Sequence, residues 1–207
     1  MSSEPYHHGH LREALIEAAL AQIQSEGASA LNLSKLARQC GVSQPAVYRH
    51  FASKQALSFS LVHWGFERLV QRLQATTQSE QEETLTSIRG LAKAYLEFSL
   101  EYTELARMMF SLKERVTDPD LHAISKQAAG PLYQIVQIAQ ARQTLKENDV
   151  GQAVRLIWAS IHGLAVLLMD EQMPYVTQTP GAIEVHLDAI AQLLHDGLFI
   201  SPDSPQV

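Results

Sequence analysis

Residues 33–57 read LSKLARQCGVSQPAVYRHFASKQAL. Leu33, Leu36, Ala37, Val42, Val47 and Phe51 recur at the spacing of two short helices that share one apolar seam. Asn32 is a natural N-cap for the first of them, and Gly41 can take the positive φ that ends it. Ser43 is placed to cap the second helix, with Pro45 in its first turn, where a missing N–H costs little. Cys40 falls between them and is expected to pack as a small hydrophobe. The opposite side of the second helix then displays Gln44, Ala46, Tyr48, Arg49 and His50, and Ser53 caps a further helix that opens at Lys54. An ordinary helical hairpin in a bundle would have the same seam. It would not account for Tyr48, Arg49, His50 and Lys54 gathering on the polar side.

Working outward, Leu11, Leu15, Ala18, Ala19 and Ile23 predict a helix over about residues 9–26, stopped by Gly27. Leu57, Leu61, Trp64, Leu69 and Leu73 continue the helix that starts at Lys54, and the polar run 75–83 breaks it. A long amphipathic pattern from Leu85 to Leu100 follows, then a shorter segment over 105–112. The Asp118-Pro119 pair restarts the chain into another helix, which Gly130-Pro131 should bend or interrupt. Two long helices are expected over 149–170 and 181–198, and a frayed tail over 199–207. Runs of strand residues bounded by hairpin dipeptides are lacking, so the fold class is all-α.

Composition bounds the function. The 207 residues are 46% hydrophobic and 18% charged, which suits a folded globular chain. One cysteine among 207 residues leaves no intramolecular disulfide and no zinc site of paired thiolates. The net charge of −6 is unevenly placed: Arg12, Lys35, Arg38, Arg49 and Lys54 outnumber Glu4, Glu13, Glu17 and Glu26 by one over residues 1–55, so the acidity lies behind them. An acidic body does not exclude a head that binds a polyanion. No apolar leader opens the sequence and no uninterrupted apolar run reaches about 18 residues, so a cytoplasmic, non-membrane location is expected.

The outward residues of 43–54 suit a duplex. Gln can bond adenine and Arg guanine in the major groove, while Tyr, Lys and the start of a helix can hold phosphates. Asn32, Ser34 and Lys35 open the preceding helix, whose free N–H groups could do the same. The segment resembles the TetR (tetracycline-repressor-like) family, in which a short recognition helix ends in Tyr-x-His-Phe and a Lys opens the next helix. Here these stand as Tyr48, His50, Phe51 and Lys54. The resemblance covers about residues 8–68. It implies phosphate contacts for Tyr48 and Lys54 and a core role for Phe51. It also implies an N-terminal three-helix helix-turn-helix domain (8–68), joined by a fourth helix to a larger helical ligand-binding and dimerisation domain (80–198). The expected DNA-binding set is Asn32, Ser34, Lys35, Ser43, Gln44, Pro45, Ala46, Tyr48, Arg49, His50 and Lys54.

Further along, Trp158, His162 and Gly163 form a Trp-x-x-x-His-Gly sequence that looks like the signature of a subgroup of TetR-type C-terminal domains. One helical turn apart, Trp158 and His162 share a face. With Tyr95, Phe98, Tyr102, Met109 and Tyr133 they are candidates to line a site for an unidentified small-molecule effector, although the Trp158–His162 pair could equally serve as core and core packing is the better reading of any one of the others. Val154, Ile157, Ile161, Ala165 and Leu168 on one helix, and Ile183, Leu187, Ile190 and Leu194 on the next, are expected to pair with a second copy as a four-helix bundle. His7, His8 and His10 have no carboxylate or thiolate beside them and suit a DNA-proximal arm better than a metal site. No Gly-rich phosphate loop, G-x-S-x-G elbow or H-E-x-x-H is present, so neither enzyme chemistry nor a cofactor or metal is expected. The functional expectation is a dimeric repressor on a palindromic operator in double-stranded DNA, released by its effector. The alternative is a helical carrier or interaction module that never meets DNA.

Overall fold

The computed structural model describes residues 11–76, 83–146 and 148–200, and among these there are ten α-helices and no strand beyond one isolated bridge. The helices are α1 (Leu11–Glu26), α2 (Leu33–Gln39), α3 (Gln44–His50), α4 (Lys54–Ala75), α5 (Thr84–Glu101), α6 (Thr103–Ser111), α7 (Pro119–Ala141), α8 (Val150–Met169), α9 (Pro174–Gln178) and α10 (Ala182–Leu198). Short 3-10 turns lie at Ala28–Ala30 and Lys113–Val116. The expected arm with His7, His8 and His10, residues 77–82 of the polar break, and the tail from 201 lie outside the described residues.

The described residues form two compact units, one of those up to Phe66 plus Tyr102–His122, the other of those between Glu67 and Glu101 plus those from Ala123 on. The division therefore does not follow the linear one expected from sequence, because α6 folds with the N-terminal unit. Leu105, Ala106 and Met109 on α6 are buried, and α6 packs on α1. Phe110 meets Phe66 edge-on at 5.9 Å, and Tyr102 meets Trp64 at 5.5 Å. Gly65 lets α4 and α6 approach closely: a Cβ there would stand 2.6 Å from Met109 Sδ and 3.1 Å from a Leu105 methyl.

Within the first unit the local signals act as the residues dictate. Gly27 (φ 84°) ends α1. At the end of α2, Val42 N–H bonds the Ala37 carbonyl (2.9 Å) and Gly41 N–H the Arg38 carbonyl (3.2 Å), with Gly41 at φ 65°. This is a Schellman turn, and it needs a residue without a Cβ at Gly41. Ser53 Oγ accepts from Ala56 N–H (3.1 Å) and caps α4. Ser43 differs from expectation, since its side chain makes no capping bond. Pro45 has no N–H to offer, and the Ala46 N–H is already taken by the Ser43 carbonyl (3.0 Å), so a hydroxyl there has nothing left to accept from.

In the second unit α5 and α8 pack together and both meet α10, with α9 against α8 and α10. Asp149 accepts from Gln152 N–H (2.9 Å) and caps α8. Three expectations are corrected here. The Gly130-Pro131 pair does not interrupt α7, which continues through it as one helix. A mid-helix proline costs about 3 kcal/mol, but Ala128, Leu132, Ile135, Val136 and Ala139 are buried on both sides of it. The larger of these side chains each gain about 1.5–3 kcal/mol on burial, which outweighs the lost bond. Residues 199 and 200 are not frayed: Phe199 is buried and bridges Leu145, and Ile200 N–H bonds the Thr144 carbonyl (2.6 Å).

The third correction concerns the apolar faces expected to pair with a second copy. Val154, Ile157, Ile161, Ala165, Leu168, Leu187 and Leu194 are buried inside this one chain, and Ile183 and Ile190 are half-buried. The helices α8 and α10 carry other apolar side chains outward: Leu156, Leu167, Val185 and Leu193 are 45, 44, 65 and 73% exposed. Apolar residues on both sides make α8 the one described helix long and apolar enough to cross a membrane, but 44% of its most apolar stretch is buried within the protein.

Candidate nucleic-acid interface

The recognition candidate, α3, is held from beneath. Val47 and Phe51 are completely or almost completely buried, Leu36 and Ala37 of α2 join them, and Leu57 and Leu61 of α4 are inaccessible. The guanidinium of Arg12 lies over the Phe51 ring (5.5 Å to its centre) and bonds Ser60 Oγ at 3.3 Å, so this one side chain of α1 reaches both the end of α3 and α4. In the sequence Arg12 stands out only as one of the basic residues near the N-terminus.

Above that base, Ser43, Gln44, Pro45, Tyr48, Arg49 and His50 are all exposed, and Tyr48 presents half its surface. They form one outward patch, with two basic residues in the last turn of α3. Ala46 does not join it. It is only 6% exposed and belongs to the buried side next to Val47, because residue 46 of so short a helix turns toward the α2 contact. Lys54 is exposed, and its Nζ donates to the Ser29 carbonyl (2.8 Å), tying α4 to the 3-10 turn before α2.

The start of α2 is not the open anion site its sequence suggested. Asn32 Oδ1 accepts from the N–H groups of Ser34 (2.9 Å) and Lys35 (3.1 Å), so two of the free donors are spent on the cap. The Lys35 ammonium pairs with Glu26, and Ser34 and Lys35 are half-buried. Asn32 itself is exposed. Burial pushes the Cys40 thiol above its ordinary range, in keeping with a packed residue.

The residues expected around an effector divide between the units. Tyr102 and Met109 belong to the first, where Tyr102 packs on Trp64 and Met109 is fully buried. In the second unit the structure brings together Tyr95, Trp158 and His162. Trp158 and His162 stack with rings 5.4 Å apart and 8° from parallel, as their one-turn spacing requires. Tyr95 on α5 meets Trp158 edge-on at 5.2 Å, and its hydroxyl lies 2.8 Å from His162 Nδ1. Tyr95 is almost wholly buried, and that burial raises its phenol pKa well above the usual value. Phe98 is fully buried beneath the Arg72 guanidinium, while Tyr133 is 40% exposed on α7. Among the described residues, no three His, Cys, Asp or Glu side chains are grouped as a metal would require.

Two short helices meeting at a glycine turn, the second turned outward and a third helix bracing them, define a helix-turn-helix DNA-binding fold followed by a helical body. The sequence comparisons specify it further. Residues 15–61 match the profile of "Bacterial regulatory proteins, tetR family", and residues 88–191 match "Tetracyclin repressor-like, C-terminal domain". The chain belongs to the TetR family of DNA-binding regulators. Among curated relatives it is 36% identical over 148 residues to the nucleoid occlusion factor SlmA of Vibrio campbellii, covering 68% of this chain and 69% of SlmA. A solved structure of a protein of unknown function from Rhodococcus sp. RHA1 superposes with TM-score 0.82 at 28% identity, over 96% of this chain and all of that one. The TetR regulator PfmR of Thermus thermophilus shares the fold (TM-score 0.65, 19% identity, 87% of this chain and 96% of PfmR).

Proposed function

We propose that the protein acts in the cytoplasm as a homodimeric transcription repressor that reads a palindromic operator through α3 and is released by a small-molecule effector. The observation that carries this reading is the outward patch of Gln44, Tyr48, Arg49 and His50 on a helix whose other side is fully anchored. Gln44 and Arg49 have the donors to read base edges, and Tyr48, His50 and Ser43 the groups to meet phosphates. A helix of seven residues spans only a few base pairs, so useful specificity calls for two copies about 34–36 Å apart on a two-fold site.

The outward faces of α8 and α10 support the dimer. Leu156, Leu167, Val185 and Leu193 are large apolar residues in water in the isolated chain. Gly163 lies between Leu156 and Leu167 in the chain, and a Cβ there would meet nothing within 4 Å in this chain, which leaves room for a second helix to come close. For the effector, the Tyr95, Trp158 and His162 cluster offers two aromatic faces and a hydrogen-bonded polar pair that a bound molecule could rearrange.

Selection of duplexes from a random pool by the purified protein tests the DNA reading. Recovery of one sequence with two-fold symmetry supports it, and an unenriched pool refutes it. Release of that duplex by members of a metabolite panel, lost in Trp158→Ala, tests the effector arm. The nucleoid occlusion role in the name of the SlmA relatives is the second reading, favoured by the 36% identity. Mapping bound sites in cells separates the two, because a repressor occupies a few promoters.

A further inference from the structure

Gln22 is 2% exposed, on the side of α1 that also buries Leu15, Ala19 and Ile23, where periodicity would place an apolar residue. Its amide is used outside its own helix. Nε2 donates to the Ala30 carbonyl (2.9 Å), and Oε1 accepts from the Asn32 N–H (3.4 Å). These two backbone groups flank the buried Leu31 in the strap between the 3-10 turn and α2, where no regular helix bonds them. One residue earlier, the Ser29 carbonyl is held by Lys54 of α4. The same Asn32 caps α2 with its side chain. The strap is thus fastened to α1 through Gln22 and to α4 through Lys54, and it delivers α2 at a fixed place. Because α3 packs on α2 through the Schellman turn, whatever sets α2 also sets the outward patch of α3.

We propose that Gln22 is a positioning residue for DNA recognition: its buried amide fixes the entry of α2 and hence the pose of α3 on a duplex. A leucine or methionine would fill the same volume and serve the core as well or better, but it would leave the Ala30 carbonyl and the Asn32 N–H without their protein partner on either side of the buried Leu31. The strap would then shift to find other partners, and α3 with it. This inference rests on the DNA-binding reading.

The test uses the full-length protein and the duplex recovered by selection on the wild type, with a random duplex as reference. Gln22→Met is expected to remain folded and to bind the selected duplex about tenfold more weakly, with a smaller loss on the random one. Gln22→Glu adds a readout that simple loss of packing would not move. The ionised carboxylate can accept from Asn32 N–H but repels the Ala30 carbonyl, whereas the protonated acid donates to it again. Its affinity relative to wild type should therefore recover as pH falls from 7.5 to 5.5. The charged groups around the strap, Lys54, the Lys35–Glu26 pair and Glu104 of α6 (Oε2 3.7 Å from a Cβ at Gly27), are the same in both proteins and cancel in the ratio. Wild-type affinity and discrimination in folded Gln22→Met, or a flat ratio for folded Gln22→Glu, would overturn the inference. A wild-type protein that enriches no duplex would instead overturn the DNA-binding reading beneath it.

Discussion

Leu193 and Leu194 are adjacent on α10 and lie in opposite environments, 73% and 8% exposed, so replacing each with alanine separates association from folding. Burying a leucine side chain is worth about 1.5–3 kcal/mol, so covering the exposed part of Leu193 gains about 1–2 kcal/mol per copy. Two-fold symmetry counts it twice. Alanine keeps Cβ and part of that gain, which leaves a loss of about 1–3 kcal/mol per dimer, or a roughly ten- to hundredfold weaker dimer. The monomer should be untouched, because a side chain already in water loses nothing. Leu194→Ala should do the reverse and cost about 2–5 kcal/mol of folding stability through the cavity it leaves. Sedimentation equilibrium over a concentration series measures the first effect and chemical denaturation of the dilute protein the second. An unchanged dimer dissociation constant in Leu193→Ala, or a wild-type protein that is monomeric at every concentration, would refute the assignment of this face.

Other consequences follow from local geometry. Asn32→Ala should cost about 1 kcal/mol and weaken DNA binding, since Ser34 and Lys35 lose their cap, whereas Ser43→Ala should be nearly neutral in stability; equal costs in urea unfolding would contradict the capping assignment. Gly65→Ala should destabilise by about 1–3 kcal/mol by driving into Met109, and Gly65→Ala with Met109→Ala should lose less than the sum of the two; strict additivity would sink that contact. The raised phenol pKa of Tyr95 means that above its ordinary value of about 10 the unfolded chain releases the proton first, so stability present below that pH falls as pH rises through it. Tyr95→Phe should make the alkaline arm of the unfolding midpoint less steep, and an unchanged arm would argue against that burial.

Local chemistry was the legible part of the sequence. Gly27, Gly41, Asn32, Ser53 and Pro119 bound their helices as expected, because a cap or a positive φ depends only on the next few residues. Of the interface residues, Gln44, Tyr48, Arg49 and His50 could be placed outward because Val47 and Phe51 fix the phase of α3. Ala46 was misplaced because one small residue carries no phase information of its own. The less legible features depend on distant parts of the chain. Two apolar stripes on α8 and α10 look alike in sequence, and only packing against α5 tells which one is internal. Likewise, the burial around Pro131 that keeps α7 continuous, and the packing of α6 on α1, come from tertiary contacts. Gln22 did leave a trace, as a polar residue in an apolar register, but its partners lie eight and ten residues away in a strap without periodicity.

The central claim is that the outward side chains of α3 meet DNA, and a salt titration of binding reaches it most directly. Fluorescence anisotropy with the selected duplex, from low to moderate salt, should give a steep fall of log affinity with log salt for the wild type. A variant with Gln44, Tyr48 and Arg49 all changed to alanine should keep its fold and its dimer while losing preference for that duplex over a random one, and should show a shallower slope. A variant that binds the selected duplex with the wild-type affinity, preference and slope would place the contact elsewhere and contradict the account.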